Sequence, residues 1–587
     1  MPLDFRNTNS LWASVAVETL SRLGLQTAIL CPGSRSTPLT VAFATHSKIE
    51  ALPILDERSA AFFALGCAKR QHQPVAIVCT SGTAGANFYP AVIEAYESGV
   101  PLLVFTADRP PELRDCAAGQ AIDQQKLYGN FVKYYSELAV PAADMRMLSY
   151  LRQTLVSGWR KAIAPTPGPI HYNCPFRDPL PPVTDESTQS LIPTLDTAQF
   201  FQSVVPPVPV VEQTQQLPTT EWLSCRRGLI IAGPSQPSYP QDYVQAVSDL
   251  SQILGWPVLA EGLSPLRNYQ CLNARLISAY DIILRSDERA DSLMPQMVIQ
   301  LGPLPISKVL RQWLQTHQPT RWIVGSQRNL DPLHGPAQGI STTIESLNGA
   351  LKEEQTETAG SDAESNYVKQ WLAYEQMTRQ MIDNMLATET TLVESKVVWL
   401  LSQYLPEETP LFIANSMPVR DVEYFWPLGD RKIQPAFSRG ANGIDGTLST
   451  AMGLAHHNRS TVLLTGDLAF LHDTNGLLNA RQLSGHLTVV VINNNGGGIF
   501  EMLPISQFES VFEPYFATPQ SVELFALCKA YGIEHRLVVD VKDCVDCISE
   551  LPAQGMRVLE VVCDGEATPA EYRKQSTQKR KHLLSAV

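Results

Sequence analysis

No stretch of this chain approaches the ~18 consecutive apolar residues of a membrane-spanning helix. Residues 1–10 are polar and lack the apolar segment of a secretory leader. A cytoplasmic protein without a membrane partner is therefore expected. Cysteine is sparse, 11 in 587 residues, odd in number and scattered. That suits reduced thiols rather than a disulfide framework. The lone CxxC, Cys544-Val-Asp-Cys547, has no second pair and no neighbouring histidine, so chance spacing explains it best. Basic residues are outnumbered, 45 against 58 acidic, and the net charge of −13 argues against nucleic acid as a main partner. The one basic run, Arg573, Lys574, Lys579, Arg580 and Lys581, reads as a solvated tail. There is no short-period repeat and no obvious catalytic His–Asp pair.

What is present is alternation. Strands are expected at 27–30, 75–79 and 102–106, with another ending at Ile54-Leu55, each running into a polar loop and then a helix. Repeated strand–loop–helix units imply an α/β protein built of doubly wound parallel sheets. From 179 to 221 the composition turns to Pro, Thr, Gln and Ser, as a surface-crossing linker does. A second alternating pattern follows, with strand candidates at 228–232, 257–260, 297–301 and 321–324. Another junction is expected over 341–366, including the polar, acidic segment KEEQTETAGSDAESN. The expected division is an α/β domain over 1–182, a linker over 183–222 and a central α/β domain over 223–345. A linker with a lead-in helix over 346–388 then precedes a third α/β domain over 389–587. At roughly 150 residues per domain the length agrees.

The segment 461–500, TVLLTGDLAFLHDTNGLLNARQLSGHLTVVVINNNGGGIF, organises the last third. It reads as strand, loop, helix (475–483), strand and loop, a parallel pair joined by a right-handed crossover. Both strands then end at the sheet edge where open α/β sheets bind ligands. Gly466-Asp467 closes the first strand and Asn493-Asn494-Asn495-Gly496 the second, with Asp467 and Asn494 27 residues apart. One carboxylate, side-chain amides and glycine carbonyls suit a hard cation such as Mg²⁺. These ligands are too few to enclose the ion, so phosphate oxygens should complete its shell and a diphosphate-bearing ligand is implied. An acidic residue at a strand end is often only a helix cap. Its coincidence with the Asn-Gly run at the next strand end favours the metal.

This spacing resembles the cofactor signature of thiamine-diphosphate enzymes, a Gly-Asp followed at a comparable distance by Asn-Asn; Leu468 stands where that signature usually has glycine. The resemblance implies that Asp467, the Asn494 side chain and the Gly496 carbonyl hold Mg²⁺, with Mn²⁺ as the alternative ion. Gly466, Leu468, Gly497 and Ile499 would line the same cofactor. It also implies a carboxylate beside the cofactor's aminopyrimidine ring. Glu57, in LDERSA, fills that place, although an acidic residue at a helix start is ordinarily a cap. Thr80, Gly82 and Asn87 would lie near the pyrimidine, and Ser416 and Ile444 would contact the cofactor, Ile444 as its apolar support. Such a cofactor supplies its own base, so the missing His–Asp pair is no objection.

The loops CPGSRSTPLT (31–40), LDERSA (55–60), TSGTAGANFYPA (80–91), TADRPPELRDC (106–116), NSMPVR (415–420), SRGANGIDGTLST (438–450) and NNNGGGIF (493–500) together resemble the SEPHCHC synthases. That family belongs to the menaquinone pathway, and to phylloquinone synthesis in some settings. The resemblance implies decarboxylation of 2-oxoglutarate and Stetter-like 1,4-addition of the succinyl carbanion to isochorismate. Each substrate carries two carboxylates, which arginine forks bind well. Arg35, Arg109, Arg420 and Arg439 lie in the matched loops, and Lys308 matches the family's lysine. A single loop arginine is more often a surface charge; four at strand-end loops favour substrate binding. By the same resemblance Ser34, Gln120 and Phe500 touch substrate, and Glu57, Ser34, Arg35, Gln120, Lys308, Arg420 and Arg439 form the catalytic set. Gly119 and Gly498 depart from polar residues common in the family, which removes possible substrate contacts.

The family also implies a homodimer or homotetramer with active sites between subunits, Glu57 and Asp467 of one site coming from different chains. Two other readings remain at this point. One is an acetolactate-synthase-like enzyme, against which the arginine loops speak. The other is a non-catalytic cofactor-binding subunit, which should have lost Glu57 or the metal pair.

Overall fold

The computed structural model describes residues 3–207, 217–325, 328–354, 365–562 and 569–585. The parts of the expected junctions at 208–216 and 355–364 lie outside the described residues. Three six-stranded sheets follow one another along the chain. The first comprises β1 (Thr27–Leu30), β2 (Glu50–Pro53), β3 (Val75–Cys79), β4 (Leu102–Asp108), β5 (Tyr134–Glu137) and β6 (Ile170–Pro175), in the order β2-β1-β3-β4-β6-β5. The second comprises β7 (Gly228–Ala232), β8 (Val258–Ala260), β9 (Leu276–Ile277), β10 (Met297–Leu301), β11 (Thr320–Val324) and β12 (Ala337–Ile340), in the order β12-β11-β10-β7-β8-β9. The third comprises β13 (Pro410–Ile413), β14 (Gln434–Ala436), β15 (Thr461–Gly466), β16 (His486–Asn493), β17 (Glu534–Val538) and β18 (Gly555–Val562), in the order β14-β13-β15-β16-β18-β17.

Neighbouring strands run parallel, as β1 does with β2 and β3, β10 with β7 and β11, and β15 with β13 and β16. Parallel pairing needs crossovers that cover both faces, and this is why β3 and β4 are buried along their whole length. Each fully buried Val, Leu, Ile or Phe in such strands contributes about 1.5–3 kcal/mol. The first and third sheets share one strand order, whereas the second has the order of dinucleotide-binding folds. Its first turn reads Ala232-Gly233-Pro234-Ser235, without the G-x-G-x-x-G fingerprint. A Cβ at Gly233 would meet the Pro303 carbonyl at 1.7 Å, so that turn is packed against backbone.

By contacts the chain divides into two units. One is residues 1–210, 438–458 and 471–486; the other is 211–437, 459–470 and 487–587. The first holds β1–β6. The Pro-rich stretch that follows β6 does not simply cross its surface: Leu191, Leu195, Phe200, Phe201 and Val204 join the apolar core of this unit. Among the described residues no helix is long and apolar enough to cross a membrane.

The junction expected over 341–366 begins with a helix, Ile344–Glu354, whose Ile344 and Leu347 join the core of the middle sheet. Two further expectations change. The crossover segment expected as an α-helix over 475–483 is a 3₁₀ helix, Thr474–Gln482. Asn475, Gly476 and Asn479 are weak helix formers, and the Asn475 amide is diverted to Asp56 Oδ2 at 2.6 Å. The basic run is no solvated tail. It lies on the helix Pro569–Ser585, where Arg573 and Arg580 are buried and Lys574, Lys579 and Lys581 face solvent. The CxxC lies on the helix Val541–Ser549 with both thiols free and buried, and burial raises both thiol pKa values, that of Cys544 to about 12. Neither is a ready thiolate.

Candidate active site

In the first unit the loops after β2, β1, β3 and β4 meet at one sheet edge, because those strands are neighbours in that order. The helix Glu57–Gln71 starts directly after the β2 loop. Asp56 is its N-cap, accepting from Arg58 N at 2.8 Å and Ser59 N at 3.3 Å. That cap is worth about 1 kcal/mol, and it relieves Glu57 of the capping role that position alone suggests. The half-buried Glu57 carboxylate has no hydrogen bond or ion pair among the described residues.

The helix is held in place by close backbone contact. It packs on the helix Thr447–Ala455, where a Cβ on Gly66 would meet Thr450 O at 2.0 Å and one on Gly453 would meet Phe63 O at 2.0 Å. The SRGANGIDG loop preceding the second helix is tied down by the buried Glu94 carboxylate. It accepts from Gly440 N at 3.0 Å and Ala441 N at 2.7 Å. Arg439 and Ile444 flank this anchor, both half-buried.

The β3 and β4 loops are joined by two glutamines. Gln120, at φ +58°, donates to Ser81 O at 2.8 Å, and the buried Gln124 accepts from Gly82 N at 2.9 Å while donating to Ala107 O at 3.2 Å. Thr80 is buried, and Asn87 is exposed with its amide on Thr83 O. Ser34 is exposed. Arg35 is buried, with Nη1 on Phe176 O at 2.9 Å and Nε left without a partner. Arg109 places Nε and Nη2 on Gly119 O at 3.2 and 2.8 Å. The glycine at 119 thus serves through its carbonyl, which requires no side chain. Glu94 and Gln124 carry no motif signal, and sequence reasoning did not single them out.

In the second unit β13, β15 and β16 are adjacent and end together. Asp467 directly follows β15 and Asn494 directly follows β16. Asp467 Oδ2 accepts from Gly496 N at 2.8 Å, so the two loops are physically joined. Burial pushes the Asp467 carboxyl up to about 6, against the pull of the Leu468 and Gly496 backbone N–H groups. A bound divalent cation would reverse that penalty. Asn494 Oδ1 is buried and has no hydrogen-bond partner. Such an orphan costs about 1–3 kcal/mol, and a hard cation is the ligand it fits. Gly496 adopts φ +143°, a conformation that L side chains rarely take, and its Cβ would meet Ala517 O at 2.6 Å.

Ser416 caps the helix Met417–Phe425 at φ +71°, and Arg420 Nη1 donates back to its carbonyl at 2.5 Å. Burial lowers the Arg420 pKa from its usual value, although the group stays cationic. Phe500 packs edge-on against Phe516, centroids 5.7 Å apart, next to the half-buried Ile499. Gly497 is buried, while Gly466 and Leu468 are half-buried around Asp467. Lys308 is exposed at the start of the helix Lys308–His317, which follows β10 of the middle sheet.

The expected residues thus fall into two groups. Ser34, Arg35, Glu57, Thr80, Gly82, Asn87, Arg109, Gln120, Arg439 and Ile444 belong to the first unit, and the metal set with Lys308, Ser416, Arg420, Ile499 and Phe500 to the second. Family models match three successive stretches of the chain. Residues 12–127 match the N-terminal TPP-binding domain of thiamine pyrophosphate enzymes, 198–413 the middle domain, and 422–561 the C-terminal TPP-binding domain. Among similar proteins, the 2-succinyl-5-enolpyruvyl-6-hydroxy-3-cyclohexene-1-carboxylate synthase of Acaryochloris marina is 55% identical over 570 residues, covering 96% of this chain and 97% of that protein. The same-named protein of a Nostoc species is 55% identical over 564 residues, with 96% of each chain covered. That of Rippkaea orientalis is 52% identical over 585 residues, covering 99% and 98%. The chain therefore belongs to the 2-succinyl-5-enolpyruvyl-6-hydroxy-3-cyclohexene-1-carboxylate (SEPHCHC) synthase family of thiamine-diphosphate enzymes.

Proposed function

We propose that this chain joins the succinyl unit of 2-oxoglutarate to isochorismate with loss of CO₂, giving SEPHCHC, and that thiamine diphosphate with Mg²⁺ or Mn²⁺ is required. One observation carries the reading: a carboxylate without other duties at Glu57 occurs in the same chain as the Asp467, Asn494 and Gly496 oxygen set. When bound, the cofactor would supply a carbon nucleophile for a 2-oxo acid and a sink for the electron pair that loss of CO₂ leaves behind.

The chain's own groups do the rest. Asp467, Asn494 Oδ1 and the Gly496 carbonyl would hold the cation and, with it, the diphosphate, with Gly466, Leu468, Gly497 and Ile499 lining the same place. Glu57 would hold and return a proton for the aminopyrimidine ring, with Thr80, Gly82 and Asn87 as its neighbours there. Ile444 would give the cofactor apolar support, and Ser416 would contact it. Arg35, Arg109, Arg420, Arg439 and Lys308 neutralise the substrates' carboxylates. Planar guanidinium forks fix direction as well as charge. Ser34, Gln120 and Phe500 shape the acceptor pocket. The Glu57 half and the Asp467 half of each site come from different subunits, so the working unit is at least a homodimer. The product leads to menaquinone or phylloquinone, and neither nucleic acid nor membrane takes part.

Product analysis tests this. Incubation with 2-oxoglutarate and isochorismate should yield SEPHCHC, and pyruvate alone should yield no acetolactate. The opposite pattern would overturn the reading in favour of an acetolactate-synthase-like enzyme.

A further inference from the structure

Three buried charges stand behind Asn494. Its Nδ2 donates to Glu394 Oε1 at 2.7 Å, and the other Glu394 oxygen accepts from Arg580 Nη2. Arg580 in turn donates through Nε to Asp421 Oδ1 at 2.8 Å and through Nη2 to Asp421 Oδ2 at 3.1 Å. Glu394 is 4% exposed, Asp421 2% and Arg580 3%. Removing one member of such a buried cluster would leave an uncompensated buried charge, so the fold holds it in one arrangement.

An ionised carboxylate only accepts hydrogen bonds. Glu394 can therefore engage only the NH₂ end of the Asn494 amide, and Oδ1 must face the opposite way. That oxygen is the buried atom left without a partner. The backbone of the same loop is tied down separately. Arg573, seven residues before Arg580 and so on the same helix face, donates to Asn494 O at 3.2 Å and Asn495 O at 2.6 Å. The helix Pro569–Ser585 thus reaches the loop twice, once through its carbonyls and once through the Asn494 side chain.

The geometry points to Glu394 as a positioning residue for the metal centre: braced by Arg580 and Asp421, it orients the Asn494 amide so that oxygen rather than nitrogen faces the cation. This rests on the metal–diphosphate reading above. The competing account makes the cluster a structural ion network that is indifferent to which end of the amide points where. The two differ in a definite way. A carboxylate at 494 would have two equivalent oxygens and need no orienting, but it would be repelled by Glu394.

The test is Mn²⁺ binding in the presence of thiamine diphosphate, read by the Mn²⁺ EPR signal, with melting of the metal-free proteins as a check on folding. Glu394→Met, which leaves the amide free to turn, should weaken Mn²⁺ binding at least about tenfold, the usual loss for an outer-shell partner. Asn494→Asp alone should weaken it by a similar factor. The double variant E394Q/N494D, in which the glutamine amide can donate to the new carboxylate, should return to within about threefold of the parent. Additive losses in the double variant, or parent-like binding by Glu394→Met, would overturn the proposal. If Glu394→Met does not fold, the cycle of Glu394→Gln, Asn494→Asp and their double variant decides alone. Asp467→Asn separates the two levels. Unchanged Mn²⁺ binding in that variant would sink the metal reading itself. Its loss there beside an additive cycle would sink only the role of Glu394.

Discussion

The backbone nitrogen of Gly496 donates to Asp467 Oδ2 at 2.8 Å, joining two loops that lie 29 residues apart in sequence. The bond holds together the ends of β15 and β16, and it depends on a backbone conformation that only glycine adopts readily, φ +143° with the Ala517 carbonyl 2.6 Å from where a Cβ would stand. Gly496→Ala should therefore displace the loop at a cost of about 1–3 kcal/mol in local strain. The expected result is a protein that still folds but whose melting temperature no longer rises with thiamine diphosphate and Mg²⁺. Differential scanning calorimetry with and without both ligands checks it.

Glu57 begins its helix without capping it, since Asp56 does that. Glu57→Gln keeps shape and helix but removes the carboxylate proposed to exchange a proton with the cofactor. Turnover should fall by about 10²–10⁴-fold, while calorimetry should find cofactor affinity nearly unchanged. Full activity in this variant would remove Glu57 from the mechanism.

Two glycines let the helices Glu57–Gln71 and Thr447–Ala455 touch through backbone, with a Cβ on Gly66 falling 2.0 Å from Thr450 O. No side-chain rotation relieves a clash with a carbonyl. Gly66→Ala should destabilise the first unit by about 1–3 kcal/mol, the usual cost of overpacking. Because Glu57 is on the same helix, activity should fall as well. Chemical denaturation and turnover measured on the same preparation check both effects.

His171 is completely buried on β6, with Nε2 2.7 Å from Thr106 Oγ1, and burial pushes its pKa down to about 3. The unfolded chain, at the ordinary value near 6.5, binds this proton more readily than the folded one. Stability from this site is thus fully present above pH ~6.5 and is lost as pH falls toward ~3, by about 1.4 kcal/mol per unit. His171→Gln should flatten that slope. Urea titrations at pH 7 and pH 5 should show the gap between parent and variant shifting by about 2 kcal/mol in the variant's favour at pH 5.

Much of the fold was legible because its central strands are short apolar runs closed by polar loops. β1, β3, β4, β7, β10, β13, β15 and β16 all have that form. β5, β6 and β17 do not. YYSE, IHYNCP and EHRLV mix polar with apolar residues, and some of those polar groups find their partners far along the chain, as Asn173 does in Asp108, Glu137 and Gln124. Strand order carries no local signal, so the shared order of the outer sheets was not readable either. Asp467 and the Asn494–Gly496 run stood out because a carboxylate and an Asn-Gly run must fall at adjacent strand ends to serve one cation together. Glu394 stayed hidden, 100 residues from the amide it holds. Arg573 and Arg580 were misread for a related reason. Composition shows a basic run, but only tertiary contact with Glu513, Asp421 and Glu394 shows that two of its members are buried.

Decarboxylation of 2-oxoglutarate and transfer to isochorismate are proposed to be one reaction of this protein. The direct measurement is CO₂ release from 2-oxoglutarate by the protein with thiamine diphosphate and Mg²⁺, followed while isochorismate is varied. CO₂ evolved in step with isochorismate consumed is the predicted result. Decarboxylation at a rate indifferent to isochorismate, with isochorismate left intact, would contradict the account.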